Sequence, residues 1–373
     1  MIPLSAVTLL FALVFEGAAP HAQSPAASQT QQTLVRIRAD LFSATPHFNE
    51  DITALKAVLG QDPKSVEAHV LLGFAYRGLG TQEMLAEAVA EFRQAVDLDP
   101  NFLPARFSLA HSYLDLGRPA RAKEELESAL EKAPGNPQFM ALLGESERQL
   151  KNPGKAVELI RQALQSDPSL LEGRYYLGLA LFDHGQTTDA IKELEQVVNA
   201  NAGRPEAFVA LGAVYTRSGR FDDAIKVLSE GTKLDPSRAD LHIQLARAYR
   251  SKGLLDRAEA ELVRAEPKPG AVLAPSYVEH ERLEFDLYVE QGLVRLKRGQ
   301  LSTAAEVLKK ALAMEPNDGL ANNSIAQVYL RQGQFKLASQ HAERAAKAGA
   351  PLSETDRKQI QAGLAPKKPG VRE

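Results

Sequence analysis

Hydrophobic and polar positions along this chain repeat on two scales. Locally, apolar residues return every three or four positions, as in Ala224, Ile225 and Leu228 beside Phe208, Leu211 and Tyr215. That spacing places them on one face of an amphipathic helix. On the longer scale the pattern returns every 34 residues: Leu-Ala or Leu-Gly pairs end at Ala110, Gly144, Gly178, Gly212 and Ala246. The phase runs back to Gly73, allowing three inserted residues near Thr81–Met84, and from there to Ala39. It resumes at Gly292 after twelve additional residues and reaches Ala326.

Five further columns keep time with this one. Three residues on stands an aromatic (Tyr76, Tyr113, Tyr215, Tyr249, Tyr329), and seven on a glycine (Gly80, Gly117, Gly185, Gly219, Gly253, Gly299, Gly333). Twelve on stands a small residue (Ala122, Ala156, Ala190, Ala224, Ala258, Ala304, Ala338), and nineteen on another alanine, from Ala95 to Ala345. Twenty-four on comes proline: Pro63, Pro100, Pro134, Pro168, Pro236 and Pro316. Each unit therefore predicts two helices. The glycine ends the first in a left-handed turn, the proline stops the second, and the small residues sit where the two axes cross.

This register resembles the tetratricopeptide repeat family over about Gln32 to Leu352, in nine units beginning near Gln32, Val66, Leu103, Pro137, Leu171, Pro205, Ala239, Phe285 and Gly319. The resemblance implies an all-α, right-handed superhelical α-solenoid of about nine helix-turn-helix repeats. The family's opening tryptophan is missing throughout, and the first unit carries Asp51 where alanine is expected, as suits a terminal capping repeat. Lys151 replaces the turn glycine of the fourth unit and Ala202 the proline of the fifth. The expected organisation is residues 1–22 a signal peptide, 23–31 a flexible lead-in, 32–272 repeats one to seven, 273–284 an insert with an extended helix start, 285–352 repeats eight and nine, and 353–373 a capping helix and disordered tail. Within the interruption, Glu266 to Pro275 holds three prolines and a glycine, and Ser276 with Glu279 forms a capping box that opens a long helix. Two readings stand: a tolerated surface loop with an extended helix, or a hinge between the seven upstream and two downstream repeats or a lip over the groove.

Composition narrows the function. The 373 residues carry 44 basic and 47 acidic side chains, a net charge of −3, which argues against nucleic acid as partner. The absence of cysteine removes disulfides, thiolate metal sites and cysteine nucleophiles, and excludes a lipoprotein. Ile2 to Phe15 is an apolar run of 14 residues followed by small residues, too short for a comfortable span but fitting a signal peptide cleaved near Ala19, Ala22 or Ala26. No Lys or Arg precedes Arg36, which departs from the usual positive start. The expected location is periplasmic or secreted, with no stable membrane span after cleavage; the alternative is anchoring by an uncleaved N-terminal segment.

Catalytic chemistry finds no foothold. The eight histidines form no His-Glu-x-x-His pair, and no phosphate loop, nucleophile elbow or dinucleotide fingerprint is present. The chain reads as a non-enzyme without cofactor or metal. In arrays of the resembled family the first helices line a groove that holds protein segments. Carried onto this sequence, the groove positions include Phe74, Arg77, Phe107, His111, Arg148, Tyr175, Leu179, Phe182, Arg217, Ile243, Arg247 and Arg250. Phe74, Phe107, Tyr175 and Phe182 form an aromatic stretch suited to apolar side chains. Arg217, Arg247 and Arg250 form a basic cluster suited to carboxylates. The expected function is a protein–protein interaction scaffold of the cell envelope, binding a protein or peptide segment. The alternative is an accessory subunit of a separately encoded enzyme such as a glycosyltransferase or peptidase.

Overall fold

The computed structural model describes residues 25–41, 43, 45–200, 204–266 and 277–365. The signal-peptide and lead-in readings for residues 1–24, and the core of the interruption at 267–276, lie outside them. The described residues form helices and turns without strands. The first unit of the array is α1 (Pro25–Leu41) and α2 (Phe48–Gln61), followed by α3 (Val66–Leu79) and α4 (Gln82–Leu98). Then come α5 (Leu103–Asp115) with α6 (Pro119–Lys132), α7 (Pro137–Gln149) with α8 (Pro153–Ser166), and α9 (Leu171–Asp183) with α10 (Thr187–Ala200). The later pairs are α11 (Pro205–Arg217) with α12 (Phe221–Leu234), and α13 (Ala239–Ser251) with α14 (Leu255–Ala265). After the interruption stand α15 (Tyr277–Lys297) with α16 (Leu301–Met314), α17 (Gly319–Arg331) with α18 (Phe335–Lys347), and a last helix, α19 (Glu354–Leu364).

The ends of these helices follow from the columns. The turn glycines have φ between 64° and 85° at Gly117, Gly185, Gly219, Gly253, Gly299 and Gly333, the left-handed region. Lys151 adopts the same conformation at φ 67°, so the fourth unit keeps the turn with a side chain that disfavours it. Side-chain caps open several helices: Ser65 accepts from the Ala68 N–H, Thr81 from Met84, Asn136 from Gln138 and Phe139, and Asp318 from Ala321.

Packing explains the small-residue columns. A Cβ added to Gly144 would lie 2.4 Å from Ile160, one at Gly178 would lie 2.6 Å from Leu194, and one at Gly292 would lie 2.5 Å from Leu308. The backbones of paired helices are therefore as close as a glycine allows. Ala122, Ala156, Ala190, Ala258, Ala304 and Ala338 on the second helices are fully buried. Replacing Ala190 with leucine should overpack the α9–α10 crossing and cost about 1–3 kcal/mol; a melting temperature equal to the wild type's would contradict this register.

Two compact units emerge. The first runs to Val214 and includes residues 277–280; the second begins at Tyr215 and takes up again at Glu281. In the first, successive helices from α1 to α10 pack on one another, and α7 also touches both α5 and α9, so first helix stacks on first helix around one continuous apolar core. In the second, α13, α14 and α15 share a core in which Ala239, Ile243 and Ala246 meet Leu287 and Val294. Gln291 donates to Glu266 at 2.9 Å, and Arg298 pairs with Asp256 and Glu259. The helices on either side of the interruption thus pack on one another. The helix that follows it is the longest, 21 residues.

Candidate protein-binding face

The first helices of the first unit meet closely enough that side chains two repeats apart touch. Arg77 on α3 donates through Nε to Asp115 at 2.8 Å and through Nη2 to His111 Nδ1 at 2.8 Å, both on α5. An arginine only donates, so Nδ1 accepts and the imidazole proton sits on Nε2. That nitrogen lies 3.5 Å from Glu172 and from the Tyr176 hydroxyl on α9, and Tyr176 in turn donates to Glu172 at 3.0 Å. Helix α7 lies between α5 and α9 in the chain, so this contact bridges over it. Burial pushes the Asp115 carboxyl up, but Arg77 and His111 beside it prevail and hold it at about 2. Burial pushes the Glu172 carboxyl up, but the His111 bond, with Arg204 and the Tyr176 hydroxyl beside it, draws it below its ordinary value.

A second ionic group lies beside the first. Arg148 on α7 grips Glu145 with two N–H groups at 2.7 and 2.8 Å and reaches Asp183 on α9 at 2.8 Å. Gln149 donates to the same Glu145 at 2.9 Å. The Arg204 guanidinium stacks over the Tyr175 ring at 5.7 Å. Burial, with Glu145 and Glu206 nearby, raises the Tyr175 hydroxyl well above its ordinary range, so it stays protonated.

The twelve expected groove residues separate under this geometry. Tyr175, Leu179 and Phe182 stand along one side of α9, each half-buried. Phe74 is half-buried with its ring edge-on to Phe92 at 5.1 Å. Arg148 and His111 reach the same face but are engaged as described. Phe107 is a correction: it is 2% exposed, packed between His111 and Phe139, and belongs to the core. Ile243, 1% exposed, is another, and Arg77, 5% exposed, serves the internal network.

The basic cluster is corrected in a different way. Arg247 and Arg250 do converge on a carboxylate, but an internal one: Glu290 on α15, at 2.6 and 2.7 Å. Arg217 is exposed. Sequence reading missed Asp115, Glu172, Tyr176, Arg204 and Glu290, because each earns its place through a residue at least one repeat away. Among the described residues no group of His, Asp and Glu is arranged to hold a metal ion, and no helix is long and apolar enough to cross a membrane.

Family models described as tetratricopeptide repeat match residues 66–102, 107–170, 175–239, 215–269 and 289–353. No curated protein matches the chain. Among solved structures, a chain of the APC/C hetero-tetramer Cut9–Hcn1 is similar over 91% of this chain, with a TM-score of 0.67 and 15% identity. This chain covers 64% of that chain's length. A tetratricopeptide repeat protein from Parabacteroides merdae aligns with 71% of this chain and 99% of its own, with a TM-score of 0.51 and 18% identity. At such identities the likeness speaks for the fold alone. The paired helices, the left-handed turns in register and the repeat matches together establish that this chain belongs to the tetratricopeptide repeat family.

Proposed function

We propose that the chain is a non-enzymatic scaffold of the cell envelope that holds a segment of another protein on the first-helix face of its first unit. The observation that carries this reading is the half-buried ridge of Tyr175, Leu179 and Phe182 on α9, flanked by the ionic groups around Arg148 and Arg204. Apolar rings with wet edges gain free energy when a partner covers them, while fixed charges beside them set its register. The charged groups nearby favour binding over catalysis. His111, Asp115, Glu145 and Glu172 on this face are each committed to a neighbouring side chain. The proposed binding site no longer includes Phe107 and Ile243, which are core residues, or Arg247 and Arg250, which are occupied by Glu290. The proposed envelope location rests on the apolar run Ile2 to Phe15 and the small residues after it.

A photo-crosslinking residue placed at Leu179 in cells should trap a discrete protein adduct that the same residue at the exposed Glu158 on α8 does not. Identical adducts at both positions, or none at Leu179, would refute the face. N-terminal sequencing of the mature protein tests the location separately, since a chain retaining Met1 has not been processed.

A further inference from the structure

The carbonyl of the column proline is held, in five repeats, by the side chain six residues further on. That side chain also reaches the second helix of its own repeat. Arg106 donates to the Pro100 carbonyl at 3.3 Å and to Glu125 at 2.8 Å. Arg174 donates to Pro168 at 2.9 Å and to Glu193 at 3.1 Å. Asn322 donates to Pro316 at 3.0 Å, while its carbonyl oxygen faces His341 at 2.8 Å. In the other two repeats the clasp is a histidine. His69 Nε2 lies 3.0 Å from the Pro63 carbonyl and Nδ1 lies 2.6 Å from Glu91. His242 repeats the arrangement, with Nε2 3.1 Å from Pro236 and Nδ1 2.7 Å from Glu261.

The chemistry of these two clasps differs from that of the arginines. A carbonyl and a carboxylate both only accept, so each clasp needs two N–H donors. Arginine has them at every pH. Imidazole has two only when protonated; the neutral ring turns a lone pair toward one of the oxygens. The histidine clasps are therefore complete only as imidazolium. We infer that His69 and His242 are proton-gated clasps, one in each compact unit, that hold the turn, first helix and second helix of their repeats together when charged and release one of the two contacts when neutral.

The surroundings support the charged form. For His69 the bond to Glu91 raises the pKa, burial lowers it, and the Pro63 carbonyl and Asp62 in the turn raise it further; the net direction is up. Lys56 on α2 also lies in the field of Glu91. For His242 the bond to Glu261 raises the pKa against burial, the Pro236 carbonyl adds to it, and Arg264, itself paired with Glu261, opposes it. Again the direction is up. A base with a raised folded-state pKa contributes stability that is fully present below the unfolded value near 6.5 and lost as pH rises through the folded value. The arginine clasps at 106 and 174 do not titrate themselves, but their repeats share His111. Burial and Arg77 lower its pKa, yet its bonds to Asp115 and Glu172 prevail and raise it; the controls are therefore arginine variants of the histidine clasps.

The test is hydrogen exchange on the full chain at several pH values from 6 to 8.5, expressed as protection relative to each amide's intrinsic rate, together with an NMR titration of the histidine rings. Protection in 66–98 and 239–265 should fall with rising pH, about tenfold for each unit by which the ring pKa is raised. His69→Arg and His242→Arg install the side chain that the molecule already uses at 106 and 174, and should flatten the response of their own repeat only. An unaltered slope in the arginine variants would overturn the inference. Should an arginine variant fail to fold, the wild-type titration decides: ring pKa values at or below 6.5 for both histidines would overturn it, and values above 6.5 with Glu91→Gln and Glu261→Gln lowering them would support it.

Discussion

Replacing Glu290 with alanine should destabilise the second unit by about 3 kcal/mol, among the larger effects a single side chain has in this molecule. Glu290 is 1% exposed and sits on α15 between two guanidinium groups from α13. Arg247 reaches one oxygen at 2.6 Å and Arg250 the other at 2.7 Å, with a further Arg250 contact at 3.2 Å. Burial alone would push the Glu290 carboxyl up, but Arg247 and then Arg250 overcome it and hold the group ionised. Taking away the carboxylate leaves two cations facing one another with most of their hydration lost, and that residue of unpaired charge is the larger part of the expected loss. Arg247 and Arg250 keep 27% and 16% of their side-chain surface, so solvent screens part of it and sets the estimate at the lower end of the range for buried pairs. Glu290→Gln, which keeps the shape and one acceptor, should cost about half as much. Urea unfolding followed by hydrogen exchange in 239–265 and 281–297 measures both. A midpoint within error of the wild type for Glu290→Ala would show that the clamp contributes no energy and that the apolar core of Ile243, Leu287 and Val294 alone joins these repeats.

The same residue shows where sequence reading stops. Gly144, Ala190 and Pro168 recur by letter because each answers a steric demand that one residue type meets: close helix approach, a crossing, or a helix stop. The clasp column recurs by chemistry instead. His69, Arg106, Arg174, His242 and Asn322 share a position six residues after a proline, yet three residue types fill it, because what the turn requires is a side chain that donates to the proline carbonyl and still reaches a polar group on the second helix. Glu290 lies beyond both kinds of reading, since its partners are 40 and 43 residues away in another repeat. The groove residues fail differently. Projecting positions onto one face of a first helix assumes that face is open, whereas α7 is covered by α5 on one side and α9 on the other. Phe107 and Ile243 therefore enter the core, while Tyr175, Leu179 and Phe182 keep part of their surface.

Asp51→Ala should stabilise the N-terminal hairpin by about 2–3 kcal/mol at pH 8 and by little at pH 4. The departure from alanine at this position is visible in the 34-residue register; its consequence is visible only in the packing. Asp51 is fully buried, and neither carboxylate oxygen has a hydrogen-bond partner. Its ion pair with Arg36 is 3.5 Å long, to a side chain 56% exposed, which is weak compensation. Burial, followed by the neighbouring Asp40, pushes its pKa up to about 6. Asp40 itself is drawn the other way, to about 2, by the His47 backbone N–H and ring at 2.7 and 2.9 Å. One carboxylate of the two thus stays ionised and the other resists ionisation. An acid whose folded-state pKa is raised holds its proton longer in the folded chain, so its stabilising share is complete below the unfolded value near 4 and is lost as pH climbs through 6. Above that, folding confines an unsatisfied charge at a crossing that the other repeats fill with a methyl group. Alanine restores that crossing and removes the charge; Asp51→Asn removes the charge but leaves a polar group without partners, so its gain should be smaller. Amide protection in Phe48–Gln61, compared between variant and wild type at both pH values, isolates this effect from the histidine clasp next to it. A gap of equal size at pH 4 and pH 8 would mean that ionisation of Asp51 is not what limits the hairpin, and no gap at pH 8 would mean that the carboxylate finds its water after all.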